Sequence, residues 1–368
     1  MNKKYDAIVL FSGGLDSLLA ARLLEKQGLN VLCLHFFSPF FGSPHKIQVW
    51  KNCYGLDIEG ADASKAFVSM LAHYPPSGTG RTLNPCVDCK ITLLKLAKEA
   101  LPRYNATFIA TGEVLGQRPM SQRSDTLNAI SRDSGCADIL LRPLCAQLLQ
   151  PTPMEESGLV DRAKLLRISG RGRNDQLTLA RSMEITTIPT PGGGCRLTET
   201  EPSRRYWQLL RAHWQNGSVQ NLDELTGDFW AANLGRVLFR SGSGHMLCIG
   251  RNEKDNARIA ALRGGEDLLM RLPFPGPLAL ARRGKAWPRE EVAEAAAVAA
   301  AYAPRARGMK IVEMRVINGA QWPLAVAPTK HEDIWRLPSW DEAHAEIKIC
   351  RKIRMAECKW DKRTNKQS

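Results

Sequence analysis

Read as apolar and polar positions, the start of the chain changes period twice within forty residues. "DAIVLF" (6–11) and "NVLCLHFF" (30–37) are unbroken apolar runs, and between them "SLLAARLLEKQG" places leucine at 18, 19, 23 and 24. The runs predict strands buried on both faces, and the leucine spacing predicts a helix. Gly28 is suited to end that helix, because only glycine enters the left-handed region at no cost. Strand, helix, strand is a βαβ unit, so the expected fold is α/β, a parallel sheet with helices on both faces.

The same reading extends down the chain. It predicts a helix around Ala63 to Leu71, a Pro/Gly-rich loop over 74–85, a helix over 89–104, a strand over 106–112 and a short strand at 140–144. "SGLVDRAKLLRI" (157–168) and "NDQLTLARSM" (174–183) read as helices joined by "SGRGR", and "TIPTPGGGC" (187–195) as a loop. From about residue 200 the texture changes. A basic, tryptophan-bearing helix (203–214) precedes a hairpin turning at Gly242 and Gly244, an alanine-rich helix with Pro288 near its start, and strands at 310–317 and 322–328. We therefore expect a catalytic α/β domain over 1–199 and an α+β domain over 200–368, ending in a basic tail.

Composition narrows the function. In 368 residues the formal charge is +14, an excess that favours a polyanionic partner. Neither a secretory signal nor an apolar run long enough for a membrane helix is present, so the expected setting is cytoplasmic, with no membrane partner. Ten cysteines in a reducing compartment point to metal or catalytic sulfur chemistry rather than structural disulfides. Cys33 and Cys248 fall in strands and read as core, and His35 reads as a structural histidine.

"FSGGLDS" (11–17) sits between the first strand and the first helix. Two glycines there let backbone N–H groups approach an anion at a helix N-terminus. No Walker lysine follows, so transfer of a γ-phosphoryl group is not implied. "NPCVDCK" supplies Cys86 and Cys89 at the start of a helix, where a thiol pKa is expected to fall, and "TPGGGCR" supplies Cys195. "TGEVLGQRP" follows a strand at the end that faces the ligand crevice of a parallel sheet. Gly112, Glu113, Gln117 and Arg118 are therefore pocket candidates, and Arg171 and Arg173 are candidates to face phosphate.

Ser12, Gly13, Gly14, Asp16 and Ser17 resemble the SGGxDS signature of the PP-loop (adenine nucleotide α-hydrolase-like) ATP pyrophosphatases. Cys86, Cys89, Cys195, "IATGEVLGQRPMSQ" and "VDRAKLLRISGRGR" resemble segments of the PP-loop tRNA thiouridine synthases, of the 4-thiouridine and 2-thiouridine groups. The resemblance covers roughly residues 5 to 200. It implies that ATP, held with Mg2+ near Asp16, adenylates a uridine carbonyl of tRNA, and that sulfur from a hydrosulfide or persulfide donor replaces the oxygen. Under it, Cys86, Cys89 and Cys195 ligate a [4Fe-4S] cluster, or one CxxC cysteine and Cys195 form a metal-free persulfide relay. A four-cysteine zinc site lacks a fourth ligand. An amidating PP-loop ligase and a non-catalytic RNA-binding protein are the alternatives; the CxxC pair counts against the first and the intact loop against the second.

The 4-thiouridine synthases usually place an RNA-binding module before the loop, which here begins at residue 12, so RNA contact is expected mainly from 200–368. Residues 247–262 resemble the GRN…DN segment of the NFACT RNA-binding domain, and Arg204, Arg205, Trp207, Arg211 and Trp214 combine charge with stacking surface.

Overall fold

The computed structural model describes residues 4–189, 194–217 and 219–364, with the backbone alone for 355–364. The chain divides into two compact units, Met1–Thr198 and Glu199–Ser368.

The first unit opens with β1 (Ala7–Leu10), α1 (Leu15–Glu25), β2 (Val31–Phe37), α2 (Ile47–Tyr54), β3 (Ile58–Asp62) and α3 (Ser64–Ala72). It continues with α4 (Cys86–Ala100), β4 (Phe108–Thr111), α5 (Ser124–Asp133), β5 (Leu140–Leu141), α6 (Pro153–Glu156) and α7 (Asn174–Ser182). The five strands form one parallel sheet in the order β3-β2-β1-β4-β5. The apolar runs account for its centre: β1 and β2 are buried along almost their whole length, covered on one face by Leu18, Ala21 and Leu24 of α1. Chain order reverses between β1 and β4, which leaves a crevice at their carboxyl ends. Both the glycine-rich loop and Gly112 stand there.

Two elements of this unit differ from the periodicity reading. β3 lies at the sheet edge with only Ile58 buried, and α2 buries only Tyr54, so neither offers a long apolar run. The segment 157–168, expected to be helical, forms only a short 3-10 turn at Arg162–Lys164. Its apolar residues are instead used in an extended strap: Leu166 and Ile168 donate to the carbonyls of Pro143 and Leu144, and Leu165 joins the core. Asp161 caps the turn by accepting from the Ala163 N–H at 2.9 Å. Backbone hydrogen bonds to the segment after β5 thus replace those a helix would have made.

The second unit runs α8 (Thr200–Asn216), α9 (Leu222–Ala231), β6 (Arg236–Arg240), β7 (Met246–Ile249), α10 (Glu253–Leu262), β8 (Leu268–Arg271) and β9 (Ala279–Ala281). α11 (Arg289–Ala301), β10 (Val312–Asn318), β11 (Ala320–Val326), β12 (Trp335–Arg336) and α12 (Trp340–Thr364) follow. Its seven strands are antiparallel, in the order β11-β10-β8-β9-β7-β6-β12, and alternate residues of β10 are buried beneath α11. This is an α+β arrangement: the central strands β7 and β9 are buried along their whole length, and β10 buries alternate residues. No described helix is long and apolar enough to cross a membrane.

The tryptophans of α8 correct an expectation. Trp207 and Trp214 are fully buried, packed edge to face at 5.3 Å, and the Trp207 indole donates to Glu346 at 2.6 Å. Arg204 and Arg205 both bind Glu201 of their own helix. The aromatic face of α8 therefore packs against α12 and offers no stacking surface to RNA.

Candidate active site

The loop after β1 is shaped by close packing. Gly13 has φ +78°, and a Cβ there would stand 2.4 Å from the indole of Trp50. A side chain at this position meets both a strained backbone and an occupied space. The turn is closed by its own serines: Ser17 Oγ donates to the Gly14 carbonyl at 2.9 Å, and the Ser12 N–H donates to Ser17 Oγ at 3.2 Å. Gly14 is the N-cap of α1 and supplies no capping side chain. The first turn of the helix thus presents uncapped N–H groups, the arrangement that receives phosphate.

Asp16, in that first turn, is the chemically exposed point of the loop. Gln117 donates to its Oδ2 at 3.2 Å, while Oδ1 is buried with no hydrogen-bond partner. Burial raises its pKa; Gln117 and then the nearby guanidiniums of Arg173 and Arg118 oppose the rise. A buried carboxylate oxygen without a partner is costly unless something else binds it. A carboxylate beside an anion-binding turn suits a hard cation such as Mg2+.

β4 ends against this loop. A Cβ on Gly112 would lie 2.4 Å from the Asp16 carbonyl carbon and 2.5 Å from Ser17 N, so only glycine fits. The next residue points elsewhere. Glu113, expected in the pocket, is 2% exposed; it accepts from Arg142 Nε at 3.0 Å and Thr111 Oγ1 at 3.1 Å, with Lys90 Nζ at 3.8 Å. Burial works against the Glu113 charge, and Lys90 and Arg142 overcome it, so its pKa is lowered. Gln117 and Arg118 follow on the loop, held where Leu115 bridges Ser169 of the strap. That bridge leads to Arg171, which is exposed, and to Arg173, whose charge reaches Asp16.

Lys90 leads back to the cysteines. Pro85 is the N-cap of α4, Cys86 is its first residue, and the Cys89 N–H closes the first turn on the Pro85 carbonyl at 2.7 Å. Asn84 Nδ2 donates to Cys86 Sγ at 3.3 Å. The third cysteine arrives through backbone pairing: the Leu83 N–H and Thr82 Oγ1 both donate to the Leu197 carbonyl, at 3.2 and 2.6 Å. The Arg196 N–H donates to the Phe40 carbonyl at 2.9 Å. Residues 82–86 and 195–197 are thus stitched together. Of the expected Gly-rich loop, Thr190 to Gly193 lie outside the described residues.

Electrostatics registers the convergence. Burial pushes the Cys89 thiol up, the neighbouring Cys195 and Cys86 push it further, and Lys90 pulls the other way. The expected lowering by the helix N-terminus is overturned at Cys89, since desolvation exceeds the dipole within that first turn. Among the described residues no three His, Cys, Asp or Glu are grouped to hold a metal ion. The donor set is soft and thiol-rich, suited to iron–sulfur rather than to a hard cation.

Cys33, Cys248 and His35 take structural roles. Cys33 and Cys248 are fully buried in strands, and burial raises both thiols. His35 is bonded on both ring nitrogens: Nδ1 lies 2.8 Å from the Phe11 carbonyl, and Nε2 accepts from the Ser43 N–H at 2.9 Å. This fixes the neutral ring, and burial lowers its pKa. Trp50, Thr82 and Arg142 carry no motif, and periodicity gives no sign of them.

Comparison with known proteins places this unit. Residues 3–148 match the family model described as ThiI, thiamine biosynthesis protein. The tRNA-specific 2-thiouridylase MnmA of Nitratidesulfovibrio vulgaris is 34% identical over 110 residues, 28% of this chain and 32% of that protein. A probable tRNA sulfurtransferase of Levilactobacillus brevis is 24% identical over 212 residues, 55% of this chain and 47% of that protein. The chain thus spans between a third and a half of the length of these relatives. The U34-tRNA thiolase NcsA of Methanococcus maripaludis, solved with its [4Fe-4S] cluster, covers 60% of this chain and 75% of its own. Its identity is 16% and its TM-score 0.29, too low to carry an argument. Residues 3–148 of the N-terminal unit are thus similar to that family model, and the C-terminal unit lies outside the match.

Proposed function

We propose that this chain is an ATP-dependent tRNA sulfurtransferase of the cytoplasm, which adenylates a uridine carbonyl and replaces the oxygen with sulfur held at Cys86, Cys89 and Cys195. One observation carries the reading. At the end of β4, Gly112 packs on the Asp16 turn while its neighbour Glu113 holds Lys90, the residue after Cys89. Two adjacent residues thereby join an anion-binding loop to a set of thiols. The names of the matched relatives, a 2-thiouridylase and a probable tRNA sulfurtransferase, support uridine of tRNA as the substrate.

In this reading Ser12, Gly13, Gly14 and Ser17 bind the β- and γ-phosphates of ATP. Asp16 fits a Mg2+ ion through its unpartnered Oδ1. Gln117 holds the carboxylate, and Arg118 and Arg173 add positive charge beside it. The uridine oxygen attacks the α-phosphate, pyrophosphate leaves, and AMP becomes the leaving group for the incoming sulfur. Gly112 keeps the loop and the strand end in contact. Three thiols fit a [4Fe-4S] cluster by donor type, with Cys86, Cys89 and Cys195 as ligands. Such a cluster would supply Lewis-acidic iron to the sulfur donor.

A second reading is favoured by two observations. Cys195 is the neighbour that raises the Cys89 thiol most after burial, and among the described residues no three His, Cys, Asp or Glu are grouped to hold a metal ion. A persulfide relay needs only those two thiols and a thiol reductant to reset the disulfide. The readings separate on Cys86: a cluster requires all three cysteines, whereas the relay tolerates Cys86→Ser.

The test uses the full chain purified without oxygen, with unmodified tRNA, ATP and sulfide. AMP and pyrophosphate should appear in a tRNA-dependent way, with thiouridine detected by mass spectrometry. Release of ADP and phosphate would sink the reading. Iron-free protein that still thiolates with a persulfide donor selects the relay.

A further inference from the structure

The C-terminal unit contains a cavity of about 570 Å³ between β8, β11 and the turn that precedes α11. Leu268, Val292, Trp287 and Trp322 supply apolar and aromatic walls, and Lys285 and Arg289 supply charge. The two tryptophans differ. Trp287 is 6% exposed and already stacked, lying parallel to His245 at 4.6 Å. Trp322 is 38% exposed and has no ring partner among the described residues. A large, half-exposed indole lining an open cavity is a surface kept for a ligand.

The cations and the strand narrow the ligand. Arg289 is exposed, with no hydrogen bond or ion pair among the described residues. Lys285 reaches Glu266 at 3.2 Å, but both ends are exposed, so the pair is weak. An added peptide strand is disfavoured: β11 is the sheet edge, and Pro323 in its middle lacks an N–H to donate. What remains is a flat π-system attached to an anion.

We infer that this cavity receives one unstacked nucleotide of a single-stranded RNA segment, its base against Trp322 and its phosphates toward Lys285 and Arg289. The inference rests on the reading of RNA as the substrate. It locates an anchoring site in the C-terminal unit, a role first sought in the buried tryptophans of α8. Stacking tolerates any base, and the cations read only phosphate, so the site would bind with little sequence preference.

The test compares full-length wild type with Trp322→Ala and Arg289→Gln, titrated with a short oligouridylate and with unmodified tRNA by fluorescence anisotropy. Trp322→Ala should weaken oligouridylate about tenfold, the loss expected of one stacked base. Arg289→Gln should weaken it by a smaller factor and flatten the salt dependence by about one unit of slope. Both variants should melt with wild type, since both side chains are exposed. If Trp322→Ala binds as wild type does, the site is overturned while the sulfurtransferase reading stands. If wild type binds neither RNA, this site and the RNA substrate fail together. ATP cleavage to AMP and pyrophosphate, measured in parallel, tells the failure of the catalytic reading from that of the site.

Discussion

In the C-terminal unit, Arg282 donates to Asp228 at 2.8 Å and to Asp267 at 2.5 Å, and Arg283 adds two bonds to Asp228. At the crevice of the N-terminal unit, Asp16 keeps a buried carboxylate oxygen without a hydrogen-bond partner. Both regions take acids out of water, but only the first satisfies them. A closed network fixes a fold; an open one carries a desolvation cost that a cation, a nucleotide or a substrate can offset. The difference separates the part of the chain built to hold shape from the part built to bind.

That contrast can be broken by substitution, most severely in the closed network. Asp228→Ala removes the partner of Arg283 and leaves the buried Arg282 to Asp267 alone, and should cost about 3 kcal/mol in urea unfolding of the full chain. Unchanged stability would show that the network is not saturated as described. Next, Gly112→Ala forces a Cβ onto the Asp16 backbone and should cost about 1–3 kcal/mol, with loss of AMP formation. Smaller still is Glu201→Gln, which removes the exposed partner of Arg204 and Arg205 and should cost about 0.2–1 kcal/mol.

The smallest effect on stability belongs to the residue with the largest expected effect on chemistry. The folded-state pKa of Asp16 lies above its unfolded value of 3.8, so its ionised form is disfavoured by folding. The resulting stability is present below pH 3.8 and lost as pH rises through the folded value. Asp16→Asn should therefore unfold no more easily than wild type at pH 7, and any advantage should vanish as the pH falls toward 3.8. Its ATP cleavage should nevertheless collapse. A variant that loses both stability and activity would place Asp16 among the satisfied acids.

Much of the N-terminal sheet was legible, because β1, β2 and α1 carry unmistakable periods and the loop between them carries a motif. β3 and α2 were not, since an edge strand and an exposed helix bury too little to impose a period. The strap at 157–168 misled for the opposite reason: Val160, Leu165 and Ile168 are buried, but the segment pairs its backbone with residues 143 and 144 rather than coiling. The tryptophans of α8 were ambiguous in sequence. Helical spacing gives the residues on one face, but not whether another element covers that face.

By itself the sequence determined the strand–loop–helix around "SGGLDS", the CxxC at a helix start, and a basic chain with a second domain of different texture. Those features are local: residue spacing, glycine at a turn and net charge depend on no distant partner. Tertiary structure alone decided that Cys195 comes near Cys89 across 105 intervening positions, through the pairing of Leu197 with Thr82 and Leu83. It also decided that burial, rather than the helix dipole, sets the Cys89 thiol, and that Glu113 turns from the crevice toward Lys90. Contact and desolvation are properties of what surrounds a side chain, and those surroundings exist only once the chain has folded.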